Sequence, residues 1–197
     1  PDRWAEARPI KGTRRRGATP AEDARLAAEL ATDEKSRAEN VTIVDLLRND
    51  LGIVCEGGTV EVPELMRVET YEFWHQRGSI WRGRLREGLG APECIRACFP
   101  PGSMTGAPKI EAMRILEALE PIERGVYSGA LGWIDVDGTM DLSVVIRTAI
   151  VTDAGVARIH AGGAVTADSK AADEYAEMLQ KTRAIRVALG LDPMVGP

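Results

Sequence analysis

Lys11 lies in the run Arg8-Pro9-Ile10-Lys11-Gly12-Thr13-Arg14, close to a Pro that fixes φ and a Gly that frees it. An amine held rigidly and partly desolvated loses its proton near neutral pH and acts as a nucleophile. The same residue on an open loop is a solvated surface amine. Arg147 is a second such group. Residues 142–151 read as a strand that alternates Val145, Ala149 and Val151 on the face of Arg147 with Val144, Ile146 and Ile150 on the other. Both faces being apolar, the guanidinium is expected to be buried and to need an anion, either an internal Asp or Glu or a ligand.

The last helix, expected over residues 169–189, carries three more. Ala171, Tyr175, Met178, Thr182, Ile185 and Leu189 repeat every three or four residues as its buried stripe. Glu174, Glu177 and Lys181 each precede a stripe position by one residue and line an edge of that face. Alone, Glu177 and Lys181 read as a surface pair. Glu39 stands one turn before Ile43, so a carboxylate continues the apolar stripe of Ile43, Leu46 and Leu47. Buried carboxylates need a cation, and oxygen ligands without thiolates or imidazoles suit Mg²⁺.

Two glycine-bearing segments could approach an anion. Residues 102–109, Gly-Ser-Met-Thr-Gly-Ala-Pro-Lys, lack the spacing of a phosphate loop, but small residues opening a helix form a nest of N–H groups. Ala161-Gly162-Gly163-Ala164 ends a strand with backbone open to a carboxylate. Of the two histidines, His75 lies between Trp74 and Gln76, and His160 reads as structural.

Elements must position these groups. Thr19-Pro20-Ala21-Glu22 is a helix-start signal, and a second helix is expected over residues 33–49 with Gly52 as its stop. A short strand follows at 59–62, then an extended stretch at 71–85 broken near 76–78. Helices are expected at 92–99 and 108–119. Residues 126–136, 140–151 and 155–165 read as an antiparallel meander, with Asp137-Gly138 and Asp153-Ala154-Gly155 as turns. Helices and antiparallel hairpins in this order give an α+β class.

The chain has 197 residues, 44% hydrophobic, enough for one domain with a real core. A net charge of −5 argues against nucleic acid as partner, and no apolar run has membrane length. Cys55, Cys94 and Cys98 show no CxxC spacing, so neither a disulfide framework nor a zinc site is favoured. A cytoplasmic location is expected.

The motifs Pro-Ile-Lys-Gly-Thr, Ala38-Glu39-Asn40 leading into Ile-Val-Asp-Leu-Leu-Arg-Asn-Asp at 43–50, and the 102–109 segment resemble those of the chorismate-utilising enzymes. The resemblance covers about residues 8–190 and implies large antiparallel sheets flanked by helices. It further implies that residues 1–197 are a single chorismate-binding domain, the C-terminal part of a longer subunit. A general acid/base Glu expected about sixteen residues upstream of the Lys motif would lie outside the chain. Self-association of such a piece is expected, because missing strands leave an open edge.

What the resemblance implies for the site is specific. Arg147 and Tyr127 hold one substrate carboxylate, and Gly162, Gly163 and Lys181 meet another. Glu39 and Glu177 ligate Mg²⁺, with Glu174 acting through water. Thr105 lies near the substrate ring and His75 near the leaving hydroxyl. Lys11 implies the branch that aminates chorismate at C4, using ammonia from a glutamine amidotransferase partner; the anthranilate-forming branch carries Ala there. An anthranilate- or isochorismate-type synthase and a non-catalytic folded fragment are the alternatives. Two departures are visible: Ser36 stands where an acid is common, and Ala164 where a further Gly is usual.

Overall fold

In the computed structural model, residues 3–191 are described; for residues 35, 36, 38 and 39 this holds of the backbone only. Its contacts group into two compact units, Pro1–Leu119 with Ile134–Met140, and Glu120–Trp133 with Asp141–Pro197. The class is α+β, with every described sheet pairing antiparallel. Among the described residues no helix is long and apolar enough to cross a membrane.

The first unit is built on a four-stranded sheet of β1 (Trp4–Ala7), β2 (Ile10–Arg15), β3 (Glu61–Thr70) and β4 (Trp74–Arg84). β4 is the centre. β1 pairs with its residues 81–84 and β2 with 74–78, while β3 pairs with positions overlapping both, which puts β3 on the opposite edge. β1, β2 and most of β3 go beyond the strands expected from sequence. β4 also runs unbroken through Gly78, where a break was expected. A Cβ on Gly78 would lie 3.2 Å from Pro9 O, and the Ser79 N–H donates to that same carbonyl. The glycine thus admits the link between β1 and β2 rather than ending the strand.

Alternation along β4 turns His75, Arg77, Ser79, Trp81 and Gly83 to the covered side. Helices α1 (Pro20–Thr32) and α2 (Glu34–Val54) pack against this sheet. Thr19 caps α1 through its side chain, which accepts from Glu22 N–H, and Pro20 opens the first turn. α2 runs past Gly52 to Val54, because Ile43, Leu47, Leu51 and Val54 continue one apolar ridge into the core with Ala5, Cys55, Trp81 and Cys94. Burial of that ridge outweighs the roughly 1 kcal/mol that an interior Gly costs a helix. α3 (Ala91–Cys98), a 3-10 turn (Gly102–Met104) and α4 (Lys109–Leu119) complete this part.

In place of one meander, the later residues form two ribbons: β5 (Ala130–Ile134) with β6 (Met140–Val144), and β7 (Ala149–Val151) with β8 (Ala157–Ile159). All five residues of β5 are exposed, Leu131 and Trp133 among them. The final helix α5 spans Ala171–Ala188.

Candidate functional site

Lys11 sits on a β-bulge. Between the pairs Ile10↔Gly78 and Thr13↔Gln76, β2 carries one residue more than β4, and Gly12 takes φ +98° to absorb it. Ile10 shares a sheet face with Gly78, so Lys11, the next residue, falls on the face of His75, Arg77 and Ser79. It is half-buried there. The Pro-Ile-Lys-Gly run is thus a device for aiming one side chain from a strand. Glu39 lies in α2, but its side chain is outside the described residues.

His75 is 1% exposed, and both ring nitrogens have partners. Thr70 Oγ1 lies 2.9 Å from Nδ1, and Asp23 Oδ1 lies 2.9 Å from Nε2. Asp23 is a hub: it also accepts from Arg16 Nε and Nη2, each at 2.8 Å, and from Gly17 N–H at 2.8 Å. The Arg16 guanidinium, the Gly17 N–H and His75 together hold its carboxyl well below the usual carboxylate range. Unfolded, Asp23 titrates near 3.9, so its stabilisation is complete above about pH 4 and is lost as pH falls toward the folded value. Asp23→Asn should therefore flatten the acid side of the stability profile. Melting temperatures from pH 2 to 7 that fall in parallel for both proteins would contradict this.

Thr105 follows the 3-10 turn, half-buried, with Oγ1 at 3.5 Å from the carbonyls of Pro101 and Gly102. The Gly102–Met104 turn packs on α2 so closely that a Cβ on Gly102 would lie 2.8 Å from Leu46 Cδ1.

The second unit gathers its own set around Gly162 and Gly163. Lys181 Nζ donates to Gly162 O at 3.0 Å and pairs with Glu177 Oε1 at 2.8 Å. A Cβ on Gly162 would sit 3.3 Å from the Tyr127 hydroxyl, and one on Gly163 would sit 3.1 Å from Glu174 Oε2. Only glycine leaves that space to a ligand. Tyr127 lies in the turn at 125–128, its ring 5.8 Å from that of His160, and with Val126, Val145, Thr148 and Ile150 the two line a small cavity. Burial pushes the Tyr127 hydroxyl up, opposed by the charges of Arg124 and Arg147.

Two expectations are corrected here. Arg147 is neither in a strand nor buried: β6 ends at Val144, β7 begins at Ala149, and Arg147 is exposed in the bend between them at φ +51°. The ladder stops because Val145 is engaged by the 128–129 turn, with Val145 N–H donating to Gly129 O and Ser128 N–H to Val145 O. Exposed, the Arg147 guanidinium needs no buried counter-anion, and its charge acts on Tyr127. On α5, Ala171, Tyr175 and Leu189 are exposed, while the covered side runs through Glu174, Glu177, Met178, Lys181, Thr182 and Ile185. The charged trio lies along one edge of that side, as expected, with Lys181 Nζ on Gly162 O.

Ser169 was not foreseen. Its hydroxyl donates to Glu174 Oε1 at 2.7 Å and accepts from Thr166 N–H, so it orients one of the two α5 carboxylates. A hydroxyl one turn ahead of an acid at a helix start was the available signal. Among the described residues, no group of three or more His, Cys, Asp or Glu is arranged to hold a metal. The half-buried carboxylates of Glu174 and Glu177 beside the glycine pair are nonetheless the hard oxygen donors that Mg²⁺ takes.

Residues 1–187 match the family model described as chorismate binding enzyme. The chain belongs to this family. It is 54% identical over 188 residues to an aminodeoxychorismate synthase of Streptomyces pristinaespiralis, covering 95% of the chain and 26% of that protein. It is 50% identical over 187 residues to anthranilate synthase component 1 of Streptomyces coelicolor, covering 95% of the chain and 36% of that protein. Among solved structures, anthranilate synthase component I from Streptococcus pneumoniae superimposes with a TM-score of 0.83 at 37% identity, over 94% of this chain and 40% of that one. The chain thus spans roughly a quarter to a third of these curated relatives. Family membership accounts for the α+β architecture, and the two identities lie too close together to choose a product.

Proposed function

We propose that the protein carrying this chain converts chorismate and ammonia to 4-amino-4-deoxychorismate, as an aminodeoxychorismate synthase component I does, toward para-aminobenzoate and folate in the cytoplasm. The observation that carries the proposal is Lys11, an amine aimed by a β-bulge onto the helix-covered face of the sheet. Neutral Lys11 Nζ adds to C2 of chorismate as the ring double bonds shift and the C4 hydroxyl departs. Ammonia then adds at C4, the shift reverses, and the C2–N bond to Lys11 breaks. The proton that ammonia loses and the departed hydroxide make water, so the sum is amination with loss of water.

The other residues bind and orient. Tyr127 and Arg147 take one substrate carboxylate, and Gly162, Gly163 and Lys181 meet the other. Thr105 sits against the ring. His75 assists departure of the hydroxyl by exchanging its bond to Thr70 for one to the substrate. Glu177 and Glu39 would hold Mg²⁺, with Glu174 reaching it through water and Ser169 keeping Glu174 in place. When bound, Mg²⁺ neutralises the ring carboxylate. A glutamine amidotransferase partner supplies the ammonia.

The test is product identity. The full polypeptide that carries this chain, given chorismate, ammonia and Mg²⁺, should yield 4-amino-4-deoxychorismate. Glu177→Gln should raise the Mg²⁺ needed for half-maximal rate by about 10-fold or more. The rival outcome, favoured by the 50% identical relative, is anthranilate. Anthranilate as the chromatographic product would overturn the assignment.

A further inference from the structure

Asp50 and Lys109 belong to the two motif segments at 43–50 and 102–109, and the chemistry above uses neither. Asp50 is 2% exposed near the end of α2, and its Oδ2 accepts from Lys109 Nζ at 2.7 Å. Burial pushes the Asp50 carboxyl up, and the Lys109 ammonium opposes the shift. Leu46, one turn earlier on the same side of α2, is the residue on which Gly102 rests. The two ends of the 102–109 segment are therefore docked at successive points of one helix, a glycine on a methyl group and an ammonium on a buried carboxylate. Bonds within the segment are weaker holds. Thr105 N–H reaches Gly102 O at 3.3 Å, and among the described residues Thr105 Oγ1 contacts the carbonyls of Pro101 and Gly102, each at 3.5 Å.

We infer that the Asp50–Lys109 pair is a positioning device, which holds the 102–106 loop and with it Thr105 where the substrate ring is received. This rests on the reading of Thr105 given above. Removing one member of a buried pair strands a charge, whereas removing both with neutral side chains of similar shape largely restores stability. Stability and positioning therefore separate in the double variant.

Four variants of the full polypeptide test this: Asp50→Asn, Lys109→Met, the two combined, and Thr105→Val as control. Melting temperature, amide exchange at 102–106, and kcat and KM for chorismate are measured for each. Both single variants should melt lower and the double should regain most of the loss. Exchange at 102–106 in the double should stay about 10-fold faster than native. Its kcat should stay about 10- to 100-fold low, the effect of a misplacement of about 1 Å. Native exchange and native kcat in the double variant would overturn the inference, leaving the pair a stabiliser only. If Thr105→Val keeps native kcat while the double variant still exchanges faster, the loop is positioned as inferred and it is the role of Thr105 that fails. Asp50→Glu keeps both charges but moves the ammonium, and serves if the double variant does not fold. Its kcat should fall about 10-fold with melting near native, and an unchanged kcat overturns the inference.

Discussion

Lys11→Ala in the full polypeptide lowers 4-amino-4-deoxychorismate formation by roughly 100-fold or more, with the fold retained. Retention is expected because the bulge is a backbone feature. The pairs Ile10↔Gly78 and Thr13↔Gln76 flank it, Gly12 supplies the positive φ, and a half-buried Lys stem adds little to the core. The loss is expected because the bulge at Lys11 and Gly12 is what aims this amine onto the covered face. Incubation of the unaltered protein with chorismate and no ammonia should leave a mass adduct on Lys11 equal to chorismate less water. An unmodified Lys11 together with native turnover in the Ala variant would remove the nucleophile from the mechanism while leaving the family assignment in place.

The largest effect on stability is expected at Arg77. Its guanidinium is fully buried in the sheet face beneath α1, with Nη1 donating to Leu30 O at 2.9 Å and Ala31 O at 3.4 Å, and Nη2 to Asp33 O at 3.2 Å. The carbonyls of Leu30 and Ala31 are in the last turn of α1, which a helix leaves without intrahelical partners and where its dipole is negative, while Asp33 O also accepts from Arg37 N–H at 3.1 Å. Burial pushes the guanidinium pKa down, yet an Arg keeps its charge, so the helix end and the cation hold each other. Arg77→Ala strands the carbonyls of Leu30 and Ala31 and opens a void, a cost of about 3 kcal/mol. That corresponds to a fall of roughly 10 °C in melting temperature for a chain of this size. Arg77→Lys should recover little, since a point charge cannot reach carbonyls on a planar fork. A melting temperature within a few degrees of native for the Ala variant would show that the helix end finds other partners.

Arg77 also shows where sequence reasoning stops. The helices were legible because their signals are local: Thr19 and Pro20 at the start of α1, and the ridge of Ile43, Leu47 and Leu51 in α2. Strand pairing is not local. Arg77 lies inside the break expected near 76–78, and its burial follows only from β4 being the central strand, paired along both edges, with α1 ending over it. Arg147 failed in the opposite sense. Its apolar neighbours suggested a continuous buried strand, but the 128–129 turn takes the hydrogen bonds of Val145, and no window along the sequence reveals that competition. Of the candidate site, the glycine pair was singled out by residue type, and the α5 trio by its spacing together with the family resemblance. Ser169 and the Asp50–Lys109 pair were missed because their meaning lies in what they touch.

The bulge at Lys11 and Gly12 has a consequence for how this strand can vary. One surplus residue puts the two halves of β2 out of phase, so that inward and outward positions exchange across the Gly12 kink. Substitutions leave that phase alone, and loss of Gly12 would bring the halves back into step with Ile10 still opposite Gly78, Thr13 opposite Gln76 and every flanking side chain on its present face. What the surplus residue supplies is a kink and an added twist at Lys11 rather than a choice of face, so the strand could shed it without reversing its pairing, and what would be withdrawn is the local aim of the amine.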